Sequence, residues 1–151
     1  MLLYHGSKTI VESPEIRIQK YNKDFYLGFY CTLLPEQAIR WATRFDGIGY
    51  LNEYLYTPND TLRVKHFPEM SEEWLDFILK CRRKQDSSDY DIVMGGVAND
   101  KVFNTVELYF DHLIDKQEAI KRLRYEKPNM QICFRSERAL KQLHFEGSFE
   151  V

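Results

Sequence analysis

The sequence predicts an α+β fold, and three observations predict it. Some stretches alternate apolar and polar residues with the period of a strand, as residues 50–56 and 62–67 do. Others carry apolar residues at helical spacing behind a capping residue, as Trp74, Phe77, Ile78 and Cys81 do behind Ser71. The two kinds of element do not alternate strictly, which argues against a wound parallel sheet. A length of 151 residues suits one domain spanning 1–151.

Each element has a local reason. Leu2-Leu3-Tyr4 reads as a short buried strand ending at His5-Gly6. Residues 7–24 mix Ser, Pro, Lys and Asn around an Ile16/Ile18 alternation and read as a loop with a marginal strand. The aromatic stretch Phe25 to Thr32 is strand-like. Pro35 suits the first turn of a helix, where its missing N–H costs nothing. Ala38, Trp41, Ala42 and Phe45 follow at helical spacing until Gly47 and Gly49. Strands over 50–56 and 62–67 flank the turn Pro58-Asn59-Asp60. Ser71 caps the next helix, with Glu72 and Glu73 in its first turn and Lys80 to Lys84 at its basic end.

After a polar loop, Asp91-Ile92-Val93-Met94 reads as a strand ending in Gly95-Gly96. Val102, Phe103, Val106, Tyr109, Phe110 and Leu113 recur with helical period. Asp115 and Glu118 form a capping pair for a helix carrying Ala119, Ile120 and Leu123. Pro128-Asn129 turns the chain into a strand over 130–134. Ser136 caps a last short helix with Leu140 and Leu143 on its inner face.

Bulk properties narrow the function. Aromatics are rich at 15%, and the net charge of −2 gives no electrostatic case for nucleic acid. No apolar run approaches the roughly 20 residues of a membrane helix, and no signal peptide is visible. Cys31, Cys81 and Cys133 are odd in number and lack metal-ligand spacing, so reduced thiols and a cytoplasmic location are expected. His66, His112 and His144 are scattered, so no metal site is expected. No nucleophile elbow is present, and no Lys-Ser/Thr follows Gly95-Gly96 to make a phosphate loop.

Two short motifs remain. Tyr4-His5-Gly6-Ser7 closes the first strand, and Gly28-Phe29-Tyr30-Cys31-Thr32 leads into the first helix. Together they resemble the nicotinamide-binding half of a diphtheria-toxin-like ADP-ribosyltransferase. Gln37-Ala38, Trp41-Ala42, Gly49-Tyr50, the run from Asp91 to Asp100, and Asn129-x-Gln131-x-x-Phe134 extend the resemblance over nearly the whole chain. These motifs are similar to a family of uncharacterised bacterial domains in that superfamily, often encoded beside a short partner in a toxin–antitoxin-like arrangement.

The resemblance implies a split mixed β-sheet core with flanking helices, and NAD as substrate. His5 would hold a ribose hydroxyl through an imidazole nitrogen. Gly6 would offer its backbone to the carboxamide, since a glycine permits close approach. Tyr30 would stack on the pyridinium, worth about 1–2 kcal/mol. Ser7 and Thr32 would add local hydrogen bonds, and Trp41, Tyr26 and Tyr50 would form a second wall of the slot.

Relatives place a Glu on a late strand, and here Gln131 stands at that position. Its carbonyl can hold the 2′-hydroxyl, but it brings no negative charge to a cationic sugar. One well-placed electrostatic stabiliser is typically worth about 3–4 kcal/mol. Other acids have ordinary readings: Glu107 on a polar helix face, Glu137 in a helix first turn, Asp91 and Asp100 beside the Gly95-Gly96 turn, where they could also touch substrate.

The expected activity is NAD-dependent mono-ADP-ribosyl transfer, with His5, Tyr30 and Gln131 as catalytic residues and His5, Gly6, Ser7, Tyr30, Thr32 and Trp41 around NAD. The protein is expected to be the toxin of a toxin–antitoxin-like pair. A macromolecular acceptor is expected, protein in preference to nucleic acid, chosen by loops around 84–100 and 124–130, together with a small antitoxin partner and no membrane. The alternatives are a catalytically weak or inactive NAD-binding or protein-interaction module, and an NAD glycohydrolase.

Overall fold

The computed structural model describes residues 1–16, 24–99, 105–125 and 127–151. Its elements run β1 (Leu2–Ser7), β2 (Phe29–Cys31), α1 (Pro35–Thr43), β3 (Tyr50–Tyr56), β4 (Val64–His66), α2 (Glu72–Arg82), β5 (Ile92–Gly95), α3 (Thr105–Phe110), α4 (Lys116–Leu123), β6 (Gln131–Phe134), α5 (Glu137–Leu140) and β7 (Leu143–Glu150). The strands form two sheets, in the orders β1-β3-β7 and β2-β6-β5-β4. The first is antiparallel throughout; the second is mixed, because β4 runs parallel to β5 while the other pairs are antiparallel. The α+β class stands.

Local chemistry sets most helix starts. Ser71, Asp115 and Ser136 each cap a helix by accepting from the backbone N–H three residues on, at Trp74, Glu118 and Ala139. Pro35 opens α1 at its first turn.

Four expectations need correction. Phe45 lies beyond the end of α1 and is 65% exposed, so it is no part of the buried stripe. The strand expected over 25–32 is only Phe29–Cys31, because the chain turns through Tyr26, whose φ is 71°. Phe110 and Leu113 point outward, Leu113 at 69% exposure, and α3 stops at Phe110; Val102, Phe103 and Ile18 lie outside the described residues. Leu143 does not belong to the last helix. It opens β7, which pairs along β3, and Phe145, Gly147 and Phe149 alternate there with His144, Glu146, Ser148 and Glu150.

The core has two parts. Leu3, Tyr54, Tyr56 and Leu143 of the first sheet meet Phe29, Ile92, Ile132 and Phe134 of the second, so the sheets face one another across this cluster. On the far face of the second sheet, Val93 and Cys133 pack with Trp74, Leu75 and Ile78 of α2 and with Ala119, Ile120 and Leu123 of α4. All three cysteines are buried and free, and burial pushes their thiols up, Cys133 to about 12.

Asp91 ties the joints of the second sheet. It accepts from Arg63 N–H at 2.8 Å, from the Ser136 hydroxyl at 2.6 Å, and from the Arg138 guanidinium at 2.8 and 2.7 Å. It stands at the opposite end of β5 from Gly95-Gly96, so its work is structural. Arg138 chiefly, with the Ser136 hydroxyl, holds its carboxyl well below the usual carboxylate range. A depressed folded pKa gives stability that is present above the unfolded value of about 3.9 and lost as pH falls toward the folded one. Asp91→Asn should therefore cost about 2 kcal/mol at pH 7, and less with each step below about pH 4. Urea unfolding at pH 7 and pH 3 checks this; an equal deficit at both would contradict it.

Candidate functional site

Among the described residues the two sheets meet at one isolated bridge. Tyr4 N–H donates to Thr32 C=O at 2.8 Å, and Thr32 N–H donates to Tyr4 C=O at 2.9 Å. Continuing that antiparallel register places Gly6 opposite Tyr30, but there β1 and β2 form no further bridge among the described residues. Strand geometry has period two, so the N–H and C=O of Gly6 point to the same edge as those of Tyr4. They face the split, where among the described residues no backbone partner meets them.

His5 crosses the split instead. Its Nδ1–H donates to the Tyr30 carbonyl at 2.7 Å, and since a carbonyl only accepts, the proton is on Nδ1. The imidazole rests on Phe29, with ring centroids 4.3 Å apart. His5 therefore touches the Tyr30 backbone, while the Tyr30 side chain projects to the other face of β2.

Tyr30 is locked into the turn before it. Its hydroxyl donates to Tyr26 C=O at 2.6 Å and accepts from Phe25 N–H at 3.1 Å. Burial, with nearby Cys133 and Asp24, raises this phenol well above its ordinary value. These bonds hold Tyr26 in the left-handed region, a conformation that costs an aromatic residue on the order of 1–2 kcal/mol. Tyr26 is half-buried in that turn.

Gln131 begins β6. Tyr30 lies opposite Cys133, so Tyr30 and Gln131 share a face of the sheet, two residues apart on the register. Gln131 is 5% exposed, and its Nε2 donates to Asp24 Oδ2 at 3.0 Å and to Gly96 C=O at 3.2 Å. Asp24, 8% exposed, also accepts from Ala98 N–H at 3.0 Å and from Arg82 Nε and Nη2 at 3.0 and 2.6 Å. The three expected catalytic positions thus lie on β1, β2 and β6, with β2 standing between the split and β6.

The other expected residues have mainly structural partners. Ser7 donates to Thr9 C=O, and its hydroxyl also accepts from the buried Asn52 amide at 3.4 Å. The Thr32 hydroxyl accepts from Leu34 N–H at 3.1 Å, turning the chain into α1. Trp41 is half-buried on α1, one turn beyond Gln37. Tyr50 is half-buried at the start of β3. Glu107 is exposed and pairs with Arg83, Glu137 is exposed in the first turn of α5, and Asp100 lies outside the described residues.

Sequence reasoning misses Asp24, and names Gln37 in a motif without giving it a role. Asp24 reads in the sequence as the end of a polar loop. Gln37 reaches from α1 to Met130, accepting its N–H at 3.0 Å and donating to its C=O at 2.9 Å. A primary amide here pairs with a backbone edge one residue before Gln131. No local pattern announces either residue's contacts, since their partners are distant in sequence.

Next to Gln131 lies a cavity of about 470 Å³ lined by His66, Met70, Gly96, Arg124, Tyr125 and Asn129, among others. Among the described residues no cluster of His, Cys, Asp and Glu could hold a metal. No helix among them is long and apolar enough to cross a membrane.

A family model described as "Protein of unknown function (DUF3990)" matches residues 1–145. No curated protein and no solved structure matches the chain.

Gly6 is required by packing as well as by access. A Cβ there would lie 1.8 Å from Ala38 C=O and 2.9 Å from Ala42 N of α1. Gly6→Ala must push the helix off the strand, and should cost about 3 kcal/mol. A urea midpoint unchanged from the unsubstituted protein would contradict this contact.

Proposed function

The chain belongs to the DUF3990 family, and for this member we propose the activity of an NAD-dependent mono-ADP-ribosyltransferase. The observation that carries the proposal is the split at Gly6. A strand edge there offers one N–H and one C=O with no backbone partner among the described residues. A primary carboxamide is the complementary group, with one acceptor and a donor beside it. Nicotinamide is a carboxamide on a flat cationic ring. Tyr30 is the half-buried aromatic side chain on the neighbouring strand that would receive that ring.

In this reading the carboxamide pairs with Gly6, the ring stacks on Tyr30, and the Gln131 carbonyl takes the ribose 2′-hydroxyl. His5, held by Tyr30, takes a second hydroxyl. The nicotinamide–ribose bond breaks, nicotinamide leaves with the bonding electrons, and a nucleophile of the acceptor bonds to the sugar carbon. The proposed acceptor is a macromolecule, protein in preference to nucleic acid. The proposed setting is a toxin restrained by a small antitoxin protein.

A second reading is a weak or inactive NAD-binding module. The neutral Gln131 favours it, because no carboxylate meets the cationic sugar directly. Nicotinamide release without transfer to a macromolecule would instead indicate a glycohydrolase.

Incubation with adenine-labelled NAD separates these, by following free nicotinamide and label on macromolecules. Transfer is the expected result. Tyr30→Ala, checked for native circular dichroism, should weaken NAD binding at least tenfold by calorimetry. Unchanged affinity in that variant would overturn the site.

A further inference from the structure

We propose that Asp24 is a positioning residue of the site. Its carboxylate orients the Gln131 side-chain amide, so that the nitrogen is spent inward and Oε1 is presented outward as the acceptor for a sugar hydroxyl. This inference rests on the NAD reading of the same site.

The argument starts from what surrounds Gln131 Nε2. Asp24 Oδ2 lies 3.0 Å away and Gly96 C=O lies 3.2 Å away. Both are acceptors only, so the group between them must be the NH₂. Turning the amide over would set Oε1 against two oxygens. Both N–H bonds are therefore engaged inside the protein. Among the described residues Oε1 accepts no hydrogen bond, and it is not one of the fully buried side-chain atoms left without a partner. Oε1 therefore keeps some contact with solvent, on the face that carries Tyr30.

Asp24 is itself held still. Arg82 takes Oδ1 through two nitrogens, and Ala98 N–H takes Oδ2. The next residue, Phe25, donates its N–H to the Tyr30 hydroxyl at 3.1 Å. One short turn thus fixes both the ring that would stack on nicotinamide and the amide that would read the ribose. The negative charge that the resemblance implies for the late strand sits here one side chain deeper, on Asp24, behind a neutral carbonyl.

Two substitutions test this. Gln131→Glu sets two carboxylates about 3 Å apart, and should weaken NAD binding about tenfold. Asp24→Ala removes the acceptor that holds the amide, and should weaken it by a similar factor. Wild-type affinity in Asp24→Ala would overturn the positioning role while leaving the NAD reading intact. No NAD binding by the unsubstituted protein overturns that reading, and the inference with it. Because the single variants can fail to fold, a second measurement uses the unsubstituted protein. Its Gln131 side-chain amide protons should exchange with solvent much more slowly than those of an exposed glutamine such as Gln85. Equal rates would also overturn the inference.

Discussion

A carboxylate removed from water must be fully paired, and the burial of Asp24 imposes that demand on three parts of the molecule at once. Arg82 comes from the end of α2, Ala98 from the segment after β5, and Gln131 from the start of β6. Removing one partner from a buried ion pair typically costs about 3–5 kcal/mol, because the survivor keeps its charge without compensation. The turn from Asp24 to Gly28 is consequently fixed on both sides. Its backbone is further tied to Tyr30 and, through Phe25 and Leu27 carbonyls, to the Cys133 thiol. The left-handed Tyr26 persists because so many bonds determine it.

The second constraint is the incomplete junction between the sheets. Two backbone bonds at Tyr4 and Thr32 join them, and the shared apolar cluster from Leu3 to Phe134 keeps them face to face. Had the ladder continued, Gly6 and Tyr30 would have consumed each other's peptide groups. The His5 imidazole satisfies the Tyr30 carbonyl without closing the gap. The gap belongs to the folded chain, and among the described residues the Gly6 peptide groups on that edge are not consumed by an internal backbone bond.

How much of this is legible depends on distance along the chain. Helix caps at Ser71, Asp115 and Ser136 are readable because donor and acceptor lie three residues apart. The alternation in residues 50–56 is readable for the same reason. β7 escapes because Leu140 and Leu143 continue a helical spacing, although Phe145, Gly147 and Phe149 already show a period of two. Phe110 and Leu113 mislead because apolar residues at helical spacing need not enter the core. At the site, His5, Tyr30 and Gln131 can be named from motifs. Their relation requires the β2–β6 register and the Tyr4–Thr32 bridge. Asp24 cannot be found at all, since its partners lie 58, 74 and 107 residues away. Gly6 is legible as a site of close approach, but the backbone that approaches it is the protein's own helix.

That helix has a mechanical role. α1 rests without intervening side chains on Gly6 and Gly49, both belonging to or bordering the first sheet. From the same helix Gln37 grips Met130, at the entrance to β6 of the second. Ala38, bedded on Gly6, and Gln37, holding Met130, are consecutive residues, so β1 and the start of β6 are bolted to the same turn of helix and neither shifts without it.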